Sequence, residues 1–138
     1  MRLTGQPGVI IRREMSVIHK FSKNQDEYQW LGVNGNPLTE EGIKAVTKHV
    51  LIGENEGAAN FIMRYFHLEH GGHSKLERHP QEHEVIILNG AGEVQISDQT
   101  FSVKPFDVVF VEGGELHQFR AKENQELGFV CVIPKNIP

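Results

Sequence analysis

Hydrophobic and polar positions from residue 43 onward predict a domain built of short β-strands. Apolar runs alternate with segments rich in Gly, Asn, Asp and Glu, and no window keeps a 3.6-residue apolar period beyond a turn or two. Many short strands at this spacing favour a sandwich or barrel over alternating strands and helices. The runs are IKAVTKHVLI, NFIMRYFHLE, HEVIIL, EVQIS, TFSV, DVVFV, LHQF and LGFVCVI.

The first 41 residues have a different, more polar pattern. VNGNP at 33–37 indicates a turn or linker, and TEEGI at 39–43 is at most a weak helix start because it contains Gly42. We therefore predict an extension of residues 1–41 and a barrel domain of residues 42–138. The β-prone pieces GVII and VIHKF could cover the sheet of a second copy, which predicts a two-fold homodimer. An arm folded back on its own barrel is the alternative.

Composition narrows the classes of function. The 138 residues suit one domain with a real core, and the net charge of −4 with no basic stripe argues against nucleic-acid binding. Cys131 is the single cysteine, so no intrachain disulfide or thiolate zinc knuckle is expected. No apolar run approaches the ~20 residues of a membrane span or forms a signal-peptide core. We expect a cytoplasmic protein with a small-molecule ligand.

The histidines suggest a metal site. Five of the eight lie between His67 and His83. Glu77 and His79 are two residues apart, which places both on one face of a strand, and Pro80 interrupts that strand. The chain then re-enters a strand at His83 or Glu84. HEVIIL is apolar on both faces, so periodicity does not decide which of the two points inward.

A distant histidine, His117, follows a Gly-Gly turn at the start of another apolar run. Imidazole nitrogens with one carboxylate oxygen form a mixed ligand set suited to divalent Fe, Mn, Ni, Cu or Zn. Such an ion can polarise a bound oxygen atom or hold two reactants together.

These residues carry a resemblance to the cupins, whose first motif reads G-x5-H-x-H-x3,4-E-x6-G. Here Gly71 is followed at the motif's intervals by Glu77, His79, His83 and Gly90, with His and Glu exchanged at two positions. In the second motif, Gly114 and His117 are kept. The motif's glycine, proline and asparagine are replaced by Phe106, Glu112 and Ala121. The resemblance covers about residues 43–134.

The resemblance implies an all-β fold, a double-stranded β-helix or jelly-roll barrel that commonly dimerises. It also implies one divalent metal ion held by three histidines and one glutamate, which are Glu77, His79, His83 and His117. Glu84 is the alternative source of the carboxylate.

Strand alternation adds candidates for a substrate pocket. Phe119 follows His117 by two residues, and Phe129 and Cys131 alternate on the last run, so all three are expected to line one cavity. Cys131 is predicted to be a buried small hydrophobe rather than a nucleophile. Arg64 is expected at the surface, and the alternative is that it points inward and holds an anionic substrate. His67, His70 and His73 receive no role.

The reaction is left open by the fold. The preferred interpretation is a metal-dependent enzyme of the oxygenase type, for example a dioxygenase, acting on a small organic substrate bound to the ion. The alternatives are a cupin isomerase or lyase, and a non-catalytic module in which the metal orders a ligand-binding barrel.

Overall fold

The computed structural model describes residues 16–25 and 27–135, and the backbone alone at residues 11–12. Within these residues almost all regular structure is β. The elements are β1 (Ile11–Arg12), β2 (Val17–Ile18), β3 (Phe21–Asn24), β4 (Glu27–Trp30), β5 (Gly35–Pro37), β6 (Lys44–Ile52), a 3₁₀ turn (Glu54–Glu56), β7 (Phe61–His73), β8 (His83–Gly90), β9 (Gly92–Ile96), β10 (Gln99–Val103), β11 (Val108–Val111), β12 (His117–Ala121) and β13 (Leu127–Pro134). No helix in this part of the chain is long and apolar enough to cross a membrane.

Nine of the described strands form one curled antiparallel sheet. Its order is β10-β9-β12-β7-β13-β8-β11, with β6 added to β7 and β5 added to β6. The long β7 pairs with three strands, with β6, with β13 and near its end with β12, and this bends the sheet around a common interior. The predicted all-β jelly-roll barrel is confirmed.

Strand alternation fills the interior. On β8, His83, Val85 and Ile87 are buried, whereas Glu84 faces outward and is exposed. The register places Val85 beside Val109 on one side and Cys131 on the other, so inward residues of three strands meet in one layer. The core is Val46, Leu68, Val85, Ile87, Val94, Val103, Val109, Val111, Phe119, Ala121, Leu127, Phe129 and Cys131.

Two turns near the predicted motifs require a left-handed backbone. Gly90 has φ +80°, and a Cβ there would collide with the carbonyl oxygen of Glu126. Phe106, which replaces the glycine of the second motif, also has a left-handed φ of +74°. The turn before His117 is held by a hydrogen bond in which Gly114 (φ +84°) donates its N–H to the His79 carbonyl at 2.7 Å.

The described part of the extension packs on the barrel of its own chain. The β3–β4 hairpin places Tyr28 and Trp30 against Tyr65 on the outer face of β7, with ring centroids 5.9 and 5.0 Å away. His19 reaches the 3₁₀ turn through Nε2, 2.9 Å from a Glu56 oxygen. These contacts correspond to the arm folded back on its own barrel.

Other expectations for the extension have mixed outcomes. Residues 35–37 of VNGNP form β5, which pairs with β6, and Pro37 is tolerated because β5 lies at the sheet edge. TEEGI forms a turn closed by the Ile43 N–H and the Glu40 carbonyl at 3.2 Å, not a helix. GVII lies almost entirely outside the described residues. The domain boundary at 41/42 and the homodimer stay predictions.

Candidate metal centre

Three histidines converge at one end of the barrel. His83 is the first residue of β8, His117 is the first residue of β12, and His79 lies in the β7–β8 connection. Their ring centroids are 4.6 to 4.9 Å apart, and one nitrogen from each lies within 4.8 Å of the others. A backbone bridge between Glu77 and His117 joins the connection to β12 and fixes this arrangement.

The hydrogen-bond partner of Nδ1 in each ring determines which of the two ring nitrogens carries the proton. Nδ1 of His79 lies 3.0 Å from the Gln81 carbonyl, and Nδ1 of His117 lies 2.8 Å from the Glu115 carbonyl. A carbonyl oxygen only accepts, so in the neutral rings Nδ1 carries the proton and Nε2 carries a lone pair. Both lone pairs are then available to one ion.

His83 completes the group from the buried side. Its Nε2 lies 2.9 Å from Nε2 of His79, a separation that suits two nitrogens bound to one ion at about 2.1 Å. Its Nδ1 lies 3.0 Å from Cys131 Sγ, which can accept the Nδ1 proton and leave Nε2 free. Because three ring nitrogens can face one point without protons between them, the residues fit a divalent metal ion.

The electrostatic surroundings of His83 and His117 favour the neutral form of both rings. Burial, aided by Arg64 and by the other two histidines, lowers the pKa of His83 to about 3. Burial also lowers the pKa of His117, against the opposing effect of its hydrogen bond to the Glu115 carbonyl. Neutral imidazole is the form that binds a metal, so proton competition at neutral pH is weak.

The two candidate carboxylates differ in placement. Glu77 is half-buried, lines the same cavity as the histidines, and its charge acts on His117. Its oxygens do not belong to the close group of three nitrogens. Glu84 is exposed on the opposite face of β8, beside Phe110 of β11. The structure therefore places Glu77, and not Glu84, on the side of the histidines.

The histidines open into a cavity of about 300 Å³. Phe119, Phe129 and Cys131 all line it, as the alternation predicts, and the two phenyl rings stack with centroids 4.4 Å apart. Sequence reasoning missed Lys48 and Gln81, which also line the cavity. The alternation of β6 carried a signal for Lys48, because it is two residues from the buried Val46.

Arg64 corrects one expectation, since it lies inside rather than at the surface. The alternation of β7 turns it into the cavity, where its Cζ stacks 4.8 Å from the centre of the Phe66 ring. One Nη2–H group donates to Cys131 Sγ at 3.1 Å, and the same nitrogen lies 3.4 Å from Nδ1 of His83. NFIMRYFHLE is apolar on both faces, so its pattern could not place the guanidinium.

The other histidines of the crowded segment do not join the group. His67 faces outward, with Nε2 3.5 Å from a Glu126 oxygen. His70 is exposed, and His73 Nδ1 hydrogen-bonds to the Ser74 carbonyl at 3.0 Å. A larger groove of about 890 Å³ lies beside the β3–β4 hairpin. It contains His49 and His67, but among the described residues only His79, His83 and His117 form a convergent ligand group.

Comparisons with known proteins agree with the fold. A family model described as a cupin domain matches residues 64–133. The chain is 39% identical over 116 residues to a 1-methylthio-D-xylulose 5-phosphate methylsulfurylase of Rhodospirillum rubrum, covering 82% of this chain and 73% of that protein.

Two solved structures extend the comparison. A cupin-2 domain protein of Rhodospirillum rubrum superposes with a TM-score of 0.76 at 36% identity, over 86% of this chain and 80% of that one. The polyketide cyclase RemF of Streptomyces resistomycificus superposes with a TM-score of 0.73 at 29% identity, over 78% and 77%.

Proposed function

We propose that this chain, which belongs to the cupin family, is a metal-dependent enzyme that transforms a small carbonyl compound without consuming oxygen. The observation that carries the proposal is the convergence of three imidazoles at the wall of one cavity, with a carbonyl or thiol beside Nδ1 of each ring and Nε2 directed at a common point. A non-catalytic barrel has no need for a metal open to a cavity, which makes a ligand-binding module the weaker alternative.

A divalent ion would be held by His79, His83 and His117, and Glu77 would be the fourth ligand. When bound, the ion supplies a Lewis acid that polarises a carbonyl oxygen. The chain's own residues orient the substrate: Phe119 and Phe129 form an apolar wall, and Cys131 holds His83 in the tautomer that leaves Nε2 free. Glu77, whose side chain lines the cavity, is also a carboxylate suited to moving a proton.

The substrate class follows from two observations. The cavity of about 300 Å³ suits a molecule of a few carbon atoms. A relative 39% identical to this chain is named for a reaction of 1-methylthio-D-xylulose 5-phosphate, a five-carbon ketose phosphate. We therefore infer a small polar ketone, of the ketose phosphate kind, as the substrate.

An oxygenase, the reaction that the sequence favours, is the second candidate. The histidine-rich ligand set suits redox-active iron and manganese as well as zinc, which supports oxygen chemistry in principle. Neither the sulfurylase nor the cyclase among the relatives is named for an oxygen-dependent reaction, which is why we rank oxygenase second.

One assay separates the candidates. The chain is loaded in turn with Mn²⁺, Fe²⁺ and Zn²⁺ and incubated with 1-methylthio-D-xylulose 5-phosphate and with simple diketones while oxygen uptake is recorded. We expect substrate loss without oxygen uptake, and none in a His79→Ala variant. Oxygen uptake coupled to substrate loss supports the oxygenase instead. Metal bound at full occupancy with no turnover of any tested substrate supports the module.

Assembly is a further part of the proposal. The edge strand β11 leaves Val108 and Phe110 75% and 56% exposed, and an apolar sheet edge favours burial against another copy. We expect light scattering at micromolar concentration to give twice the chain mass of 15.6 kDa. A mass of one chain in that measurement contradicts the dimer.

A further inference from the structure

Two cations that line the cavity, Arg64 and Lys48, form no ion pair with any carboxylate in the described part of the chain. Arg64 contacts only uncharged groups: the Phe66 ring, Cys131 Sγ and the neutral His83. Its Nε is buried and makes no hydrogen bond. Among residues 16–25 and 27–135, no Asp or Glu oxygen lies within ion-pair distance of the guanidinium. A half-buried guanidinium with a buried, unpaired N–H group is costly unless an anion compensates its charge.

Lys48 lies beside Arg64 on the same wall. In the sheet, Lys48 of β6 is opposite Phe66 and Val50 is opposite Arg64, so the two cations come from neighbouring strands and both line the cavity. Burial and the positive charge of Arg64 lower the pKa of Lys48, and Glu40 opposes them from an exposed position. Glu40 and Glu77 line the same cavity, but among the described residues neither lies within ion-pair distance of the two cations, so the two positive charges act on each other without a direct ion pair.

We propose that Lys48 and Arg64 form an anion-binding pole that holds a phosphate or carboxylate group of the substrate. The ammonium supplies a mobile donor and the planar guanidinium a fixed set of N–H donors, and both pair well with tetrahedral or planar oxyanions. The inference rests on the proposed function, because it names the chemical class of the substrate for that same site.

The placement of the pole gives the substrate an orientation. Arg64 approaches His83 from the Nδ1 side, whereas the three Nε2 atoms converge on the other side of the ring. The anionic end of the substrate then lies toward β6 and the carbonyl end lies toward the histidines. A substrate with both ends is selected over one with a carbonyl group alone.

The test uses the full chain loaded with zinc, which is diamagnetic, and two matched probes. Glycerol 3-phosphate carries the anion and glycerol lacks it. Binding is followed by the ¹⁵N signal of the Arg64 Nε–H group, and dissociation constants are compared between the wild type, Lys48→Met and Lys75→Met. Lys75 lines the same cavity but is exposed, so its variant removes an equal charge at the opening.

We expect glycerol 3-phosphate, and not glycerol, to shift the Arg64 signal. We also expect roughly tenfold weaker binding in Lys48→Met and a change below twofold in Lys75→Met, with zinc content equal in all three proteins. An Arg64→Lys variant is expected to keep its zinc and to bind the phosphate roughly tenfold more weakly, because lysine keeps the charge but loses the fixed fork.

Three results overturn the proposal: equal binding in Lys48→Met, an equal loss in Lys75→Met, or weaker binding fully explained by lost zinc. Repeating the titration on the metal-free chain separates this proposal from the proposed function. Phosphate binding that persists without metal, in a chain that turns over no ketone, supports the pole and contradicts the enzyme. Turnover of ketones without phosphate binding supports the enzyme and contradicts the anion-binding pole.

Discussion

The histidines inside the barrel and those outside it differ in what their ring nitrogens contact. Inside, His79 and His117 give Nδ1 to backbone carbonyls and keep Nε2 free toward a common point. Outside, His19 uses both nitrogens, with Nδ1 2.8 Å from the Leu31 carbonyl and Nε2 2.9 Å from a Glu56 oxygen. His67 likewise directs Nε2 at Glu126.

This difference shows that a crowded segment of histidines in the sequence does not by itself identify the candidate metal ligands. His67, His70 and His73 belong to the crowded segment, yet β7 turns them outward or to its end. His117 is distant in sequence and belongs to the site. A histidine becomes a candidate ligand here when a carbonyl or thiol fixes one nitrogen and the fold points the other into a shared cavity.

The largest expected effect comes from removing a histidine inside the barrel, compared with removing one outside it. His83→Ala should weaken metal affinity by roughly 100-fold or more, because a direct ligand is lost from the buried side of the site. His67→Ala should retain metal at the wild-type level, since its nitrogen pairs with Glu126 on the outer face. Metal content after dialysis, measured by mass spectrometry, checks both. Similar losses in the two variants would contradict the division into two groups.

The acid stability of the metal-free chain tests the burial of His83, one of the histidines inside the barrel. An unfolded histidine binds a proton near pH 6.5, whereas His83 in the folded chain has a pKa of about 3. The unfolded state therefore takes the proton first. The contribution of His83 to the free energy of unfolding is fully present above pH 6.5 and is lost as the pH falls toward 3. At pH 4.5 the loss is roughly 2–3 kcal/mol. Urea unfolding at pH 7 and pH 4.5 measures this loss.

A His83→Gln variant is the control for that experiment. Glutamine does not titrate, so the variant should lose roughly 2–3 kcal/mol less than the wild type between the two pH values. Identical pH dependence in the two chains would show that His83 does not carry the effect.

Outside the cavity, the aromatic contacts of the extension are expected to matter for stability alone. Trp30 is half-buried against Tyr65, so Trp30→Ala should lower the free energy of unfolding by about 2 kcal/mol. Metal content should not change. Trp30→Phe keeps an aromatic ring and should recover more than half of the loss. A Trp30→Ala chain that also loses its metal would mean that the outer face supports the inner site.

The sequence predicted the barrel and brought the three histidines to notice because strand breaks and motif spacings are local features. The number of residues between two ligands, such as His79 and His83, can be read directly from the sequence. The inward direction of His83 did not follow from HEVIIL, because both faces of that run are apolar and only pairing with β11 and β13 decides the register.

Long-range placement explains the remaining misses. Arg64 and Lys48 line one cavity because β6 and β7 pair side by side, and although the alternation of β6 marks Lys48 as inward-facing, no local pattern records the pairing that brings the two residues together. The contact of Trp30 with Tyr65 joins residues on either side of a turn-rich stretch, where sequence patterning is weakest. Burial of a charged residue beside neutral partners also contradicts the usual surface preference of arginine.

The smallest expected effect concerns Phe106, which lies outside both histidine groups. Its left-handed φ of +74° is unfavourable for a residue with a side chain, and the ring is 75% exposed, so packing returns little. Phe106→Gly relieves about 1–2 kcal/mol of backbone strain and costs about 0.5–1 kcal/mol of chain entropy, for a net gain of roughly 0.5–1 kcal/mol in the free energy of unfolding.

Phe110→Gly is the matched control, because Phe110 is 56% exposed but lies in a regular strand, where glycine should destabilise. Thermal and urea unfolding measure both, and metal content should stay equal in the two variants. A destabilised Phe106→Gly chain would mean that the ring is buried in the assembled protein, and a change in metal content would mean that this turn supports His117 after all.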